Sequence, residues 1–353
     1  MSQIPEYWKE HLQKKIATIH KHQSNAGKNS ASFALITDMH WEQNEHHSAA
    51  LLQKILFDCS IPYFLNAGDL VSGHGLCPEQ ELYEEISDYR ENFASIESKC
   101  LIALGNHDMA YSTFDAPLYY MENAPMQRFY EYYFRPMTMY CGRTFSEDGT
   151  YYYADDKAHK IRYIVLNSQE VISEESTEEG YAKYNRMRNY GFLQAQIDWL
   201  ANVALQVPAD DWFVVVCSHA GRITLLEEKE ENEYNYSLVT NVLKAFNDHT
   251  AYTGEKTYDN PLKNAKISVD FTGKGGNLVG WFSGHSHRDR IQKIDGVMFV
   301  ETTTDASYVA FLHHPGIRGT TNEHAFDVFT VDKATRTVYV TRIGKGEDRT
   351  FQF

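Results

Sequence analysis

The stretch "LVGWFSGHSH" (278–287) is an apolar run that ends at a glycine and then places two histidines one residue apart. In a β-strand the side chains at positions i and i+2 point to the same side, so His285 and His287 could bind one shared group. The alternative is that the two polar residues simply begin a surface loop. The sequence decides between these alternatives only if other parts of the chain supply partners for the histidines.

Four other apolar runs also end in polar residues. They are "SFALITDMHW" (32–41), "PYFLNAGDL" (62–70), "CLIALGNHD" (100–108) and "DWFVVVCSHA" (211–220). Segments with helical periodicity lie between the runs, at 48–60, 81–98 and 190–206. Strands that alternate with helices predict an α/β protein whose sheets are covered on both faces.

The ends of these predicted strands carry candidate metal ligands. In open α/β sheets, ligands bind beyond the carboxyl ends of the strands. A single Asp or His there is usually a helix cap or a satisfied polar group, but all five ends have this composition. Their polar side chains are Asp38, His40, Asp69, Asn106, His107, His219, His285 and His287. Imidazole, carboxylate and amide donors without a thiolate suit Mn, Fe, Zn, Co or Ni, and their number exceeds one tetrahedral site. We therefore expect two metal ions that share a bridging carboxylate.

Composition and charge limit the classes of function. The chain has 353 residues, 42% of them hydrophobic, and a net charge of −15. This charge offers no basic surface for phosphates, so stable nucleic-acid binding is not expected. No apolar stretch is long enough to span a membrane, and the N-terminal sequence lacks the features of a secretory signal. Five cysteines without a C-x-x-C pair indicate reduced thiols, so we expect a cytoplasmic protein. The oligomeric state is left open.

The order of the strand-end motifs resembles that of the calcineurin-like metallophosphoesterase family. The motifs are D-x-H at 38–40, G-D at 68–69, G-N-H-D at 105–108, a single histidine at 219 and G-H-x-H at 284–287. Each motif is weak alone, but together they are specific. The resemblance implies a four-layered α/β/β/α sandwich, in which two mixed β-sheets pack face to face and are flanked by helices.

The resemblance also implies a role for each strand-end residue. Asp69 would bridge two metal ions. The first ion would be bound by Asp38, His40 and His287, and the second by Asn106, His219 and His285. His107 would protonate the leaving oxygen or stabilise the charge that develops on the phosphoryl group. Asp108 would orient His107.

These features predict a dinuclear metal-dependent phosphohydrolase, with a metal-bound hydroxide attacking phosphorus in line. The sequence "LVSGHG" after Asp69 lacks the D-R-G of similar protein serine/threonine phosphatases, and no tyrosine follows where purple acid phosphatases place a ligand. A phosphodiesterase of the bacterial or prophage-type branch is therefore favoured, acting on a phosphate ester such as a nucleotide. Manganese is the favoured metal, with Fe, Zn, Ni or Co, and divalent or mixed-valence pairs, as alternatives. The alternatives in function are a phosphomonoesterase, a nuclease, or a binding protein on an inactive scaffold.

The chain is predicted to form one domain over residues 1–353. An amphipathic helix is expected within 1–28, ending near Gly27. Two long segments, 109–160 and 220–278, are expected to be insertions that shape the substrate pocket. The alternation of apolar and polar residues beyond position 290 predicts antiparallel strands over 290–353 that complete the second sheet.

Overall fold

The computed structural model describes residues 4–41, 46–72, 79–109, 130–140, 142–171, 184, 188–227, 232–307 and 316–353. Its α-helices are α1 (Glu6–Ala26), α2 (Ser48–Asp58), α3 (Glu79–Phe93), α4 (Gln194–Trp199), α5 (Arg222–Glu227) and α6 (Tyr236–Asp248). Short 3₁₀ turns occupy Gly27–Asn29, Glu97–Lys99, His107–Met109, Arg135–Met139 and Pro261–Lys263, and π turns occupy Tyr130–Phe134 and Leu200–Ala204. Within these ranges, none of the helices has the length and apolar character needed to cross a membrane.

The strands are numbered in chain order. The first nine are β1 (Ser30–Ile36), β2 (Phe64–Asn66), β3 (Cys100–Ile102), β4 (Arg143–Phe145), β5 (Tyr152–Asp156), β6 (Ile161–Val165), β7 (Asn189–Gly191), β8 (Phe213–Cys217) and β9 (Asn232–Tyr234). The others are β10 (Ala251–Lys256), β11 (Ala265–Asp270), β12 (Asn277–Ser283), β13 (Arg290–Ile294), β14 (Val297–Glu301), β15 (Ala325–Asp332), β16 (Thr337–Gly344) and β17 (Arg349–Gln352).

Two large mixed sheets contain most of these strands. One has six strands in the order β17-β16-β15-β1-β2-β3, and the other has seven in the order β13-β14-β12-β8-β6-β5-β4. Strands β1, β2 and β3 are parallel, as are β14, β12, β8 and β6, whereas the outer strands pair antiparallel. The predicted α/β class with two mixed sheets and flanking helices is confirmed.

The two sheets pack against each other through aromatic side chains. Phe33 of β1 lies 5.3 Å from Phe282 of β12 and 5.6 Å from Tyr163 of β6, measured between ring centroids. Phe282 in turn contacts Phe329 of β15, at 5.0 Å. All four residues are fully buried, so they form the core between the sheets.

Helices cover the outer faces of both sheets. On the six-stranded sheet, α1 packs against β1, β15 and β16 through Trp8, Leu12 and Ile19, which are fully buried. The seven-stranded sheet is covered in part by α6, whose Tyr236 stacks on Trp281 of β12 at 5.6 Å. The helix predicted within 1–28 is thus present, and Gly27 follows its last residue with a φ of 54°.

The structure corrects the prediction for residues 290–353. The strands of 290–353 do not all complete one sheet: β13 and β14 extend the seven-stranded sheet, whereas β15, β16 and β17 belong to the six-stranded sheet. The reason is that β15 pairs antiparallel with β1 from Ser30↔Asp332 to Leu35↔Asp327.

The two segments predicted to be insertions also contribute to the sheets and the core. Within 109–160, β5 pairs with β6 in the seven-stranded sheet and β4 forms its edge, and within 220–278 the apolar face of α6 belongs to the core. Residues 110–129, 141 and 228–231 of these segments lie outside the described part of the chain. That the whole chain forms one domain stays a prediction.

The packing of α1 can be tested by truncating one buried side chain. We expect Leu12→Ala to lower the free energy of unfolding by about 2–5 kcal/mol, because the substitution leaves a cavity against the six-stranded sheet. Lys21→Ala, on the exposed side of α1, is the matched control and should change stability by less than about 0.5 kcal/mol. Urea unfolding of both variants measures the difference, and equal stabilities would contradict the packing.

Candidate metal centre

The strand-end residues come together because the central parallel strands of both sheets have their carboxyl ends in the same region. In the six-stranded sheet, β1, β2 and β3 are parallel neighbours, and they lead into Asp38, Asp69 and Asn106. In the seven-stranded sheet, β8 and β12 are parallel neighbours and lead into His219 and His285. Adjacent parallel strands end at the same edge of a sheet, so the candidate ligands of each sheet lie together at one edge.

The backbone at these strand ends has an unusual conformation. Five of the predicted ligands have a positive φ: Asp38 (51°), His40 (41°), Asp69 (52°), His285 (71°) and His287 (55°). Residues other than glycine rarely adopt this left-handed region, and each such residue costs about 1–3 kcal/mol. Strain of this kind persists only where the surrounding structure enforces it, and it clusters at functional sites.

One group of donors is formed by Asp38, His40 and His287. His287 Nε2 lies 3.2 Å from Asp38 Oδ1 and 3.4 Å from His40 Nε2. One ligand atom from each of the three residues lies within 4.8 Å of the others. Asp38 is fixed from behind, because its Oδ2 accepts hydrogen bonds from Thr37 Oγ1 at 2.7 Å and from the backbone N–H of His285 at 2.9 Å.

A second group is formed by Asp69, Asn106, His219 and His285. Asn106 Oδ1 lies 2.8 Å from His219 Nε2 and 3.0 Å from His285 Nδ1. Asp69 Oδ2 is 3.3 Å from His219 Nε2. His219 Nδ1 donates to the carbonyl oxygen of Ala67 at 2.7 Å, which orients Nε2 toward the other donors.

Asp69 connects the two groups. A carboxylate oxygen of Asp69 lies within 4.8 Å of ligand atoms of His219 and His285 in one group. The same is true of His40 and His107 in another group. Asp69 Oδ1 accepts a hydrogen bond from the backbone N–H of His107 at 2.8 Å. Asp69 therefore belongs to two candidate groups of donors, and that it bridges two metal ions stays a prediction.

The electrostatics of the cluster suit cations. Burial disfavours the charged form of Asp38, but the neighbouring His287 imidazole lowers the pKa of Asp38 to about 2. Asp69 is also buried, yet His219 and His107 hold the pKa of its carboxyl well below the usual value. Burial opposes a charge on His219, but Asp69 raises the pKa of this histidine to about 9. Two ionised carboxylates thus lie among imidazoles, and a bound metal ion would release the proton of His219.

His107 and Asp108 do not interact as predicted. His107 Nδ1 donates to the carbonyl oxygen of Ser72 at 2.6 Å, and its Nε2 lies 3.9 Å from Asp69 Oδ2. The carboxylate of Asp108 instead accepts backbone N–H groups, from Gly105 at 2.8 Å, Asp69 at 3.0 Å and Leu70 at 2.7 Å. The prediction that Asp108 orients His107 is wrong: Asp108 fixes the loop that carries Asp69.

Glycines of the motifs make room for ligand side chains. A Cβ on Gly105 would lie 2.1 Å from Asp69 Oδ1, and a Cβ on Gly284 would lie 2.3 Å from Asp38 Oδ2. Both distances are far shorter than van der Waals contact. The glycine of G-N-H-D and that of G-H-x-H therefore allow the loops of the two sheets to approach the two carboxylates.

Sequence reasoning missed Glu301, a buried carboxylate beneath the centre. Glu301 accepts hydrogen bonds from the backbone N–H of Thr224 at 3.1 Å and from the hydroxyl of Ser286 at 3.1 Å. Ser286 lies between His285 and His287, whereas Thr224 follows the loop of His219. Glu301 therefore ties two ligand loops together. Its signal was available, because it is an acidic residue at the end of the apolar run "VMFVE" (297–301).

The fold and this candidate metal centre at the strand ends agree with a comparison with protein families. Residues 31–289 match the model of the calcineurin-like phosphoesterases. The chain therefore belongs to the calcineurin-like phosphoesterase family, a class of metal-dependent phosphoesterases. No curated protein matches the chain.

Solved structures with a related arrangement have low sequence identity to the chain. A predicted phosphoesterase from Streptococcus pneumoniae is 9% identical, with 92% of this chain and 98% of that chain covered and a TM-score of 0.33. GAP50, the anchor in the inner membrane complex of Plasmodium, is 9% identical, with 92% and 88% covered and a TM-score of 0.48. A Vps29 single mutant from Entamoeba histolytica is 12% identical, with 91% and 99% covered and a TM-score of 0.29. The family assignment depends on the match over residues 31–289 and not on these structures.

The steric role of Gly105 leads to a prediction for metal binding. We expect Gly105→Ala to weaken binding of divalent metal by about 10–100-fold, because the new methyl group displaces the Asp69 carboxylate. Gly273→Ala is the control: Gly273 has a φ of 70° but no atom within 4 Å of its Cβ position, so it introduces backbone strain without a clash. Isothermal titration measures the affinity of both variants for Mn²⁺, and equal affinities of Gly105→Ala and Gly273→Ala would contradict the prediction.

The role of Asp108 leads to a prediction for stability. Both of its carboxylate oxygens accept backbone N–H groups, so Asp108→Asn would direct an amide NH₂ at buried donors. We expect the free energy of unfolding to fall by about 1–3 kcal/mol. Asp270→Asn, at an exposed turn, should leave stability near the wild-type value. Unchanged stability of Asp108→Asn in urea unfolding would count against this assignment.

Proposed function

We propose that the chain is a dinuclear metal-dependent phosphohydrolase that acts on phosphodiesters. The observation that carries the proposal is that Asp69 lies among buried and partly buried donors from both sheets, with His287 in one group and His219 and His285 in the other from the seven-stranded sheet. Membership of the calcineurin-like phosphoesterase family supports the same reaction class.

In this proposal each donor has a defined role. Asp69 would be the ligand shared by the two ions. Asp38, His40 and His287 would hold the first ion, and Asn106, His219 and His285 would hold the second. When bound, such a pair supplies a nucleophile at neutral pH and stabilises the attacking and leaving oxygens of the displacement.

The donor set limits the choice of metal. Imidazole nitrogens with carboxylate and amide oxygens are borderline to hard ligands, which favours first-row divalent ions over soft metals. We propose Mn²⁺ as the working ion, with Fe, Zn, Ni and Co as the ions to compare with it.

His107 is the proposed catalytic residue that binds no metal. Its Nδ1–H is anchored on the carbonyl oxygen of Ser72, so the ring presents Nε2 to the space beside Asp69 and His40. From there the doubly protonated ring can donate a hydrogen bond or a proton from Nε2 to a phosphoryl or leaving-group oxygen. The backbone N–H of His107 also donates to the Asp69 carboxylate. His107 would therefore position this proposed metal ligand and contact the substrate.

A diester is favoured over a monoester for two reasons. The loop after Asp69 lacks the D-R-G found in similar protein phosphatases. In addition, the net charge of −15 repels a doubly charged monoester more than a singly charged diester. A nucleotide is a suitable form of such a substrate, and the cytoplasmic location expected from the sequence is part of the same proposal.

The proposal can be tested with the full chain and two model esters. Metal content of the purified protein is measured by mass spectrometry, and hydrolysis of bis(p-nitrophenyl) phosphate is compared with that of p-nitrophenyl phosphate, with and without Mn²⁺. We expect about two metal ions at the centre and faster cleavage of the diester. A preference for the monoester would support a phosphomonoesterase, and cleavage of single-stranded DNA a nuclease. Absence of turnover with Mn²⁺ bound would favour an inactive scaffold.

The role of His107 can be separated from metal binding. We expect His107→Ala to retain the metal ions and to lower kcat by about 100- to 10,000-fold, the usual contribution of a positioned acid. His20→Ala, an exposed histidine on α1, is the control and should keep the wild-type kcat. Turnover of His107→Ala at the wild-type rate, with metal content unchanged, would remove this role.

A further inference from the structure

A second group of metal-binding side chains lies outside the strand-end centre. It consists of His47, immediately before α2, and Glu323 and His324, immediately before β15. One ligand atom from each of the three residues lies within 4.8 Å of the others. We name these three residues the α2/β15 cluster. None of them is a ligand of the strand-end centre.

The hydrogen bonds of His324 determine which ring nitrogen carries a proton. Nδ1 lies 3.0 Å from Ser48 Oγ, 3.3 Å from the carbonyl oxygen of Asp305 and 3.4 Å from Asp305 Oδ1. The Ser48 hydroxyl itself donates to the Asp305 carboxylate, so each of these oxygens is available to Nδ1 as an acceptor. Nδ1 therefore bears the proton. Histidines that bind metal through Nε2 commonly have Nδ1 fixed in this way, by a carboxylate or a carbonyl.

The other nitrogen of His324 has no hydrogen-bond partner among the described residues. His324 is fully buried, and its Nε2 makes no hydrogen bond within the described part of the chain. A buried polar atom without a partner is unfavourable, because its hydrogen bonds to water are lost and not replaced. This Nε2 lies 3.8 Å from Glu323 Oε1, which is too far for a hydrogen bond.

Glu323 supplies negative charge at the same place. Its side chain is fully buried, and its Oε1 accepts hydrogen bonds from Tyr7 Oη and Trp8 Nε1, both at 2.8 Å, and from His47 Nδ1 at 2.9 Å. Burial disfavours the charge, but the hydrogen bonds from Trp8 and His47 lower the pKa of Glu323 below its usual value. Among the described ion pairs of Glu323, the partners are His47 and His324 rather than a lysine or arginine.

We propose that the α2/β15 cluster binds one divalent cation, held by His47 Nδ1, Glu323 Oε1 and His324 Nε2. The cation takes the position of the proton on His47 Nδ1, and the neutral ring then carries its proton on Nε2. It also gives His324 Nε2 a partner. Two imidazoles and one carboxylate are donors that Zn²⁺ accepts, and Co²⁺ and Ni²⁺ accept similar donors.

This ion would connect three parts of the fold. Glu323 already binds α1 through Tyr7 and Trp8, His47 precedes α2, and His324 leads into β15. A cation at the cluster would therefore link α1, α2 and the six-stranded sheet. Its expected effect is on stability, and the proposal does not rest on the phosphohydrolase function.

The test compares zinc content between variants of the full chain. Wild type, His47→Ala and His324→Gln are dialysed against the same buffered Zn²⁺ solution, and zinc per chain is measured by mass spectrometry. We expect each variant to contain one zinc ion fewer than wild type. His20→Ala, an exposed histidine outside the cluster, should match wild type. Because the result is a difference, it does not depend on how many ions the strand-end centre holds.

Thermal unfolding provides a second measurement. If Zn²⁺ binds the cluster, adding it to metal-free protein raises the Tm of wild type more than that of His47→Ala, because a ligand of the native state stabilises it in proportion to ln(1 + [Zn²⁺]/Kd). His47 is only half-buried, so this variant is expected to fold. Equal zinc content in wild type and both variants, or an equal rise in Tm, would overturn the proposal.

Discussion

The geometry of the strand-end centre depends on the contacts that Asp69 makes. Its Oδ1 is held by the backbone N–H of His107 after β3, and its Oδ2 lies 3.3 Å from His219 of the other sheet. Its own backbone N–H donates to Asp108, and its carbonyl oxygen accepts from the N–H of His40. The loops after β1, β2 and β3 thus meet at one residue, which also faces the seven-stranded sheet. Gly105 must lack a side chain because that carboxylate fills the space.

The same region concentrates both charge and strain. Asp38 and Asp69 are buried and ionised, and five predicted ligands have left-handed backbone conformations. Neither feature favours folding by itself. Both become understandable if cations neutralise the carboxylates and if the turns direct donors from two sheets to the same place. Glu301 and Asp108 act from behind the ligands, through hydroxyl and backbone N–H groups, and hold the loops in these conformations.

Much of this arrangement was predictable from the sequence because the signal is local. A buried strand is a short apolar run, and a candidate ligand is one of the first polar residues after it, so Asp38, Asn106 and His285 can be selected from the sequence alone. Their convergence follows from the rule that parallel strands end at one edge. The left-handed turns could not be predicted, since they depend on the loops that pack around each residue.

Features that depend on contacts between distant parts of the chain could not be predicted from the sequence. The sequence adjacency of His107 and Asp108 suggested that they interact, but tertiary contacts direct the Asp108 carboxylate to the loop of Asp69. The division of 290–353 between two sheets arises because β15 pairs with β1, which lies at the other end of the chain. The α2/β15 cluster has the same origin, since His47 and Glu323 are 276 residues apart. Periodicity does not report such contacts.

The most direct test of the account is a crystal structure of the Mn²⁺-loaded protein with anomalous diffraction from manganese. The account predicts two manganese peaks about 3.5–4 Å apart, with the Asp69 carboxylate between them. One peak would be bound by Asp38, His40 and His287, and the other by Asn106, His219 and His285. A single ion, or ions bound away from Asp69, would contradict the assignment of a dinuclear centre.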